Sequence, residues 1–219
     1  MESVNNVVNC CITKVSESII YPGTELELWE MDSDRKHVAD LLENMGYRKS
    51  DTIVALGLTA STPLKHWPTA YYGELVNKLR EKWENIYIVL LGDKVEQGEY
   101  ITEVDNVLNL CGQLTLRETS ALLRHVILYI GNDTGLMHIA SACGCAIVEI
   151  SSFALNGDVS SGFSSSSRFS PWSKNAMIIQ PLRQIDACRG GCQMPYPHCI
   201  IQVTVERVFE AANNFLQTR

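Results

Sequence analysis

Six short apolar runs recur from about residue 51 onward: TIVAL (52–56), IYIVLL (86–91), VLNL (107–110), VILYI (126–130), AIVEI (146–150) and AMII (176–179). Most are continuously apolar rather than alternating, as strands are when both faces of a parallel sheet are covered. Amphipathic stretches separate them. Pro68 suits a first helical turn, and Tyr72, Leu75, Val76, Leu79 and Trp83 then form a helical stripe. Thr115-Leu-Arg-Glu118 is a capping-box pattern that opens a helix running to about His125. A further helix is expected from near Thr134 to Gly144, and Val205, Val208, Phe209, Ala212 and Leu216 mark a terminal one. Strand and helix in alternation predict an α/β fold: a Rossmann-like, doubly wound parallel sheet.

The first fifty residues differ. Val38, Leu41, Leu42 and Met45 share a helical face closed by Gly46. Residues 1–30 show no clear period and contain Pro22-Gly23, so they read as a residual segment or linker, with the nucleotide-binding type of domain over 31–219. The serine-rich stretch SSGFSSSSRFSPW (160–172) reads as a mobile loop.

The chain has 219 residues and 46% hydrophobic content, enough for one substantial core. No run approaches the roughly 18–20 apolar residues of a membrane span, and MESVNNVVNCC lacks the features of a signal peptide. The expected location is therefore the cytoplasm. With 25 acidic and 18 basic residues, the net charge of −7 argues against a nucleic-acid partner. It leaves room for a small phosphorylated ligand.

Two junctions carry the chemistry. In GNDTGLMHIA (131–140) an aspartate, a threonine and a glycine stand where a strand turns into a helix. Ligands of open parallel sheets bind beyond the carboxyl ends of the strands, where helix N-termini offer unpaired N–H groups and a partial positive charge. Thr134 can cap such a helix, and Gly135 lets a ligand approach the backbone; together they suit a phosphate. Plain helix capping explains Asp133 and Thr134 about as well. The second junction, GLTASTPLKHWP (57–68), offers Thr59, Ser61 and Thr62 hydroxyls and the cation of Lys65. It matches neither G-x-G-x-x-G nor the P-loop pattern. A solvated lysine is the bland reading of Lys65, and His66 and Trp67 read as packing residues.

Taken in order, STPLKHWP, VLLGD, NLCGQLTLRE and GNDTGLMHIASACG resemble the donor-binding half of glycosyltransferase family 9, the bacterial ADP-heptose:lipopolysaccharide heptosyltransferases. The resemblance spans roughly residues 31–217. It implies the C-terminal half of a GT-B glycosyltransferase, in which the nucleotide sugar binds this domain and the acceptor binds an N-terminal one. It also implies that the general base belongs to that other domain.

Carried over residue by residue, the resemblance places Asp133, Thr134 and Gly135 at the diphosphate and sugar. Lys65 and Ser61 meet the phosphates from the other side, and His138 faces the same cleft. Leu114 would line the nucleobase pocket, and Asp93 or Glu96 would bind ribose, the choice between them being open. Where the family commonly has F-G-P-T-D-P, this chain has SSFALNGDVSSG, with Phe153 and Asp158 in its place. Cys188, Cys192 and Cys199 are similar to a cysteine cluster of many members. Zinc would need a fourth ligand such as His198, and the irregular spacing favours free thiols.

The transfer so implied is inverting and metal-independent. Fixed amides and a lysine stabilise the charge that grows on the departing diphosphate, and no cofactor is expected. The expected partners are a nucleotide-diphosphate sugar and a lipopolysaccharide-core or other glycan acceptor, and the isolated chain is expected to be inactive. Two alternatives stand beside this: a GT-B transferase or epimerase using a UDP- or GDP-sugar, and a non-catalytic module for phosphorylated ligands.

Overall fold

The computed structural model describes residues 12–14, 26–101, 105–157, 166–185 and 194–218. In chain order the elements are strand β1 (Ile12–Lys14), helix α1 (Asp32–Asn44), β2 (Thr52–Gly57), α2 (Thr69–Lys82), β3 (Ile86–Leu91), β4 (Val107–Asn109) and α3 (Leu116–Leu123). There follow β5 (Leu128–Asn132), α4 (Gly135–Ala142), β6 (Ala146–Ile150), α5 (Ser166–Phe169), β7 (Ala176–Ile179) and α6 (Val205–Gln217). A 3-10 turn, Pro63–Lys65, lies between β2 and α2.

The strands form one sheet in the order β1-β7-β6-β5-β2-β3-β4. β2 to β7 are parallel, and β1 alone among the described strands joins antiparallel, Ile12 opposite Ile179. Counted from β2, the order is that of a dinucleotide-binding sheet, and its direction reverses between β2 and β5. The doubly wound architecture expected from the apolar runs is the one observed.

Each central strand feeds both faces. On one side Val54, Leu56, Ile88, Ile130 and Val148 pack beneath α2 and α6. On the other Ile53, Ala55, Val89, Tyr129 and Ile147 pack beneath α1, α3 and α4. This is why the runs lack a period of two: neither face is wet. The capping box forms as the sequence predicts. Thr115 Oγ1 accepts from the Glu118 amide at 3.3 Å, and Glu118 Oε2 accepts from the Thr115 amide at 2.8 Å. Gly46 and Gly144 follow α1 and α4 with φ of 79° and 85°, the left-handed conformation that ends helices at little cost in glycine.

Several boundaries depart from the expected ones. β5 begins at Leu128 rather than Val126 and continues through Gly131 and Asn132, so the first residues of the GNDTG segment are strand. α3 stops at Leu123, short of His125. The serine-rich stretch contains the short helix α5, where a loop was expected throughout; residues 158–165 lie outside the described ones. Within 1–30, residues 12–14 form the edge strand, and Glu30 bonds to Ser120 and Arg124 on the α3 side.

Candidate functional site

The carboxyl ends of β2 and β5 lie side by side, Gly57 opposite Gly131 in the sheet register. The loop after β2 and the turn after β5 therefore meet at the point where the strand order reverses. Asn132, fully buried, fastens them. Its Oδ1 accepts from the Trp67 amide at 3.2 Å, and its Nδ2 donates to the Thr59 carbonyl at 3.0 Å. Each hydrogen bond satisfies a backbone group that the irregular loop would otherwise bury unpaired.

Trp67 anchors the other end of the loop. It is wholly buried, stands edge-on to Tyr71 and Tyr72, and donates Nε1–H to the Val203 carbonyl at 2.7 Å. The Tyr72 hydroxyl in turn donates to the Gly57 carbonyl at 2.8 Å, pinning the last residue of β2. Packing is thus the observed role of Trp67, and its anchoring fixes the 3-10 turn just before it. Lys65 closes that turn and aims its ammonium at Asp133, Nζ to Oδ2 2.9 Å. Both side chains are largely buried, with 21% and 11% exposure.

Asp133 and Thr134 lead into α4. Thr134 holds the N-cap position but its side chain does not cap: its hydroxyl is buried, turned toward the Tyr129 hydroxyl instead of the helix amides. That corrects the expectation of a capping threonine. Gly135 is the first helical residue, and a Cβ there would meet nothing within 4 Å. The protein's own packing therefore does not demand a glycine at this position. His138 lies one turn along α4, half-buried. Ser61 sits exposed in the loop after β2, on the Lys65 side of the junction.

The other expected site residues lie further along the same edge of the sheet. Asp93 and Glu96 are exposed in the turn after β3, where Asp93 Oδ1 accepts from Gln97 Nε2 at 2.8 Å. Leu114 immediately precedes the α3 cap and packs partly against the core. Phe153 follows β6, with its amide donating to Ser151 Oγ and its carbonyl accepting from Gln180. Asp158, Cys188 and Cys192 lie outside the described residues. Among the described residues no group of three or more His, Cys, Asp or Glu side chains is placed to hold a metal. His198 Nδ1 lies 3.0 Å from the Tyr196 carbonyl, next in sequence to Cys199.

Two residues of this edge escaped the sequence reading. Asn132 looked like part of a motif without a task of its own. Glu149 is the single charge inside the apolar run AIVEI, which is the signal that could have found it. It stands on β6 opposite Gly131, 1% exposed. Burial, with Asp133 adding to it, pushes its carboxyl up to about 8, against the pull of Lys65.

Residues 10–195 match the family model of glycosyltransferase family 9 (heptosyltransferase). This chain belongs to that family. It is 30% identical over 164 residues to the lipooligosaccharide heptosyltransferase 2 of Haemophilus ducreyi, a match covering 70% of this chain and 44% of the relative. Among solved structures it superposes on a family 9 glycosyltransferase from Veillonella parvula with a TM-score of 0.74 at 18% identity, over 89% of this chain and 54% of the other. The E. coli ADP-heptose lipopolysaccharide heptosyltransferase II gives a TM-score of 0.66 at 23% identity, over 92% and 55%. The fold is thus that of a Rossmann-like half of the GT-B heptosyltransferases, and the family 9 chain spans about half the length of the relatives it matches. No helix among its described residues is long and apolar enough to cross a membrane.

Proposed function

We propose that this family 9 chain binds the diphosphate of a nucleotide sugar, of the ADP-heptose class, at the crevice between β2 and β5. The observation that carries the reading is the Lys65–Asp133 pair set against the N-terminus of α4 at the sheet's switch point. A diphosphate arriving there would draw Lys65 from Asp133 and accept from the first free amides of α4, those of Thr134 and Gly135. The open space beside Gly135 supports a ligand approaching the backbone at that residue. Ser61 and His138 border the same crevice as further contacts, while Leu114 and either Asp93 or Glu96 would meet the nucleoside.

In this role the domain serves an inverting, metal-independent heptosyl transfer of lipopolysaccharide-core synthesis. As the bond to the sugar stretches, negative charge builds on the diphosphate. Amides and a lysine already held in place stabilise that charge without reorganising. We assign the acceptor and its general base to the part of the relatives' length that this chain does not span. Alone, the chain would bind donor and not turn it over.

Calorimetric titration with ADP, UDP and GDP tests the reading, repeated on Lys65→Ala and Asp133→Ala. Saturable binding that prefers ADP and weakens in Lys65→Ala is expected, while Asp133→Ala, which removes the carboxylate competing for Lys65, should not weaken it. Preference for UDP or GDP would move the donor to another nucleotide, and absence of binding to all three would sink the reading. Robust heptosyl transfer by the chain alone would overturn the assignment of the base elsewhere.

A further inference from the structure

Beneath the β5–α4 turn, Glu149 Oε2 is buried with no hydrogen-bond partner, and the buried Tyr129 and Thr134 hydroxyls lie beside it with only each other to bond. Unsatisfied polar atoms are costly in a sheet core, and an ionised carboxylate among them would be costlier still. They cluster because Gly57 and Gly131 leave the space above adjoining strands free. The Tyr129 hydroxyl fills it, lying 2.6 Å from where a Gly131 Cβ would stand. Glu149 neighbours Gly131 on the next strand, so its carboxyl belongs to the floor under Asp133 and Thr134.

We propose that Glu149 is a positioning residue for the diphosphate: a neutral carboxylic acid under the β5–α4 turn that must keep its proton for the ligand to seat. The inference rests on the donor reading above. Among the described residues Lys65 is the cation acting on Glu149, and it already faces Asp133. A diphosphate adds further negative charge above the same floor. With Glu149 ionised, two carboxylates and the diphosphate would share one ammonium in a poorly solvated place. With Glu149 neutral, Lys65 is free to serve the phosphates. Among the described residues the groups that face Glu149 are few. Asp133 comes from the β5–α4 turn, Lys65 from the 3-10 turn, the Tyr129 phenol from β5 and the Ser151 hydroxyl from just beyond its own strand. β7 presents apolar Ile178.

The consequence is proton-linked binding. ADP should be titrated into the chain and into Glu149→Gln between pH 7 and 9.5, in pairs of buffers with different ionisation enthalpies. For the unaltered chain, affinity should fall above about pH 8, at most about tenfold per pH unit for one linked proton. Heat measured near pH 8.5 should report proton uptake. Glu149→Gln, which keeps the shape and cannot ionise, should bind at pH 9 as the unaltered chain does at pH 7, with no uptake. A merely structural glutamate would not give this profile.

A Glu149→Gln chain that fails to fold leaves the buffer pairs on the unaltered chain as the deciding measurement. ADP binding with no proton uptake, or with the same pH profile in both proteins, overturns the role of Glu149 and leaves the donor reading standing. ADP binding to neither protein at any pH overturns both. Thermal unfolding without ligand is a further check with its own sign. A carboxyl whose folded value is raised from 4.5 to about 8 holds its proton more tightly in the folded state. Stability therefore declines as pH rises between those values and levels off above the upper one. Glu149→Gln should lose that decline, so its Tm should gain on the unaltered chain from pH 5 to pH 8.

Discussion

Lys65 Nζ lies 2.9 Å from Asp133 Oδ2, joining the loop after β2 to the turn after β5 across 68 positions of sequence. The pair occupies the reversal of strand order, the place at which open parallel sheets bind their ligands. Its charges are shielded enough to matter and exposed enough to be reached. Removing either partner leaves the other partly buried and unpaired. Asp133→Ala and Lys65→Ala should each lower stability by on the order of 1–3 kcal/mol, read by urea unfolding. In the donor reading Lys65→Ala should also weaken ADP by at least about tenfold, a loss of about 1.4 kcal/mol. Equal ADP affinity with and without Lys65 would remove the lysine from the site.

Asn132 offers a sharper structural test, because both ends of its amide are used. Asn132→Ala would strand the Trp67 amide and the Thr59 carbonyl, at about 1–3 kcal/mol for a buried group left unpaired. A fall in Tm of several degrees is expected, at roughly 2–4 °C per kcal/mol for a chain of this size. Asn132→Asp should fare little better, since a carboxylate cannot donate to the Thr59 carbonyl. A Tm unchanged in both variants would show that the loop holds itself without Asn132.

Gly57 and Tyr129 make a packing prediction. A Cβ on Gly57 would collide with the Tyr129 hydroxyl and overlap its ring, on a residue that is fully buried. Gly57→Ala should destabilise by about 1–3 kcal/mol through overpacking. Adding Tyr129→Phe, which removes the first colliding atom, should recover part of the loss; chemical denaturation of the double variant would show it. Independent, additive losses would count against the collision.

Glu118 carries a pH prediction with the opposite sign to that of Glu149. The Thr115 amide, and after it His37 at 2.6 Å, hold its carboxyl down at about 2. A depressed carboxyl contributes stability above its unfolded value, and that contribution is lost as pH falls through the folded value. Glu118→Ala should therefore cost about 1 kcal/mol at pH 7, as capping losses do. The difference should shrink below pH 4.5 as the unaltered chain approaches pH 2. Circular dichroism melts at pH 7 and pH 3 would measure it, and a constant difference would exclude the ionised cap.

Much of the fold was legible because its cause is local. Continuous apolar runs mark strands covered on both sides, Thr115 and Glu118 mark a helix start, and Gly46 and Gly144 mark helix ends. Lys65, Asp133 and Gly135 could be named as candidates because they stand at strand ends that feed helices, where sheets of this kind hold ligands, and because the family resemblance covers both junctions. The boundaries that moved share a reason. β5 extends into Gly131 and Asn132 because the register with β2 and β6 continues past the apolar run, and that pairing is made by other strands.

By itself, then, the sequence determined which segments are strand and which are helix, and which polar residues stand at their junctions. Periodicity, capping and glycine conformations act within a few residues of chain. The tertiary structure alone decided that Lys65 meets Asp133, that Asn132 ties two loops together and that the Thr134 hydroxyl is buried instead of capping. It also decided that the one charge in AIVEI sits in the core beside another carboxylate. Those outcomes depend on which strands become neighbours. That is set by the burial of both sheet faces at once, and no local stretch of sequence contains it.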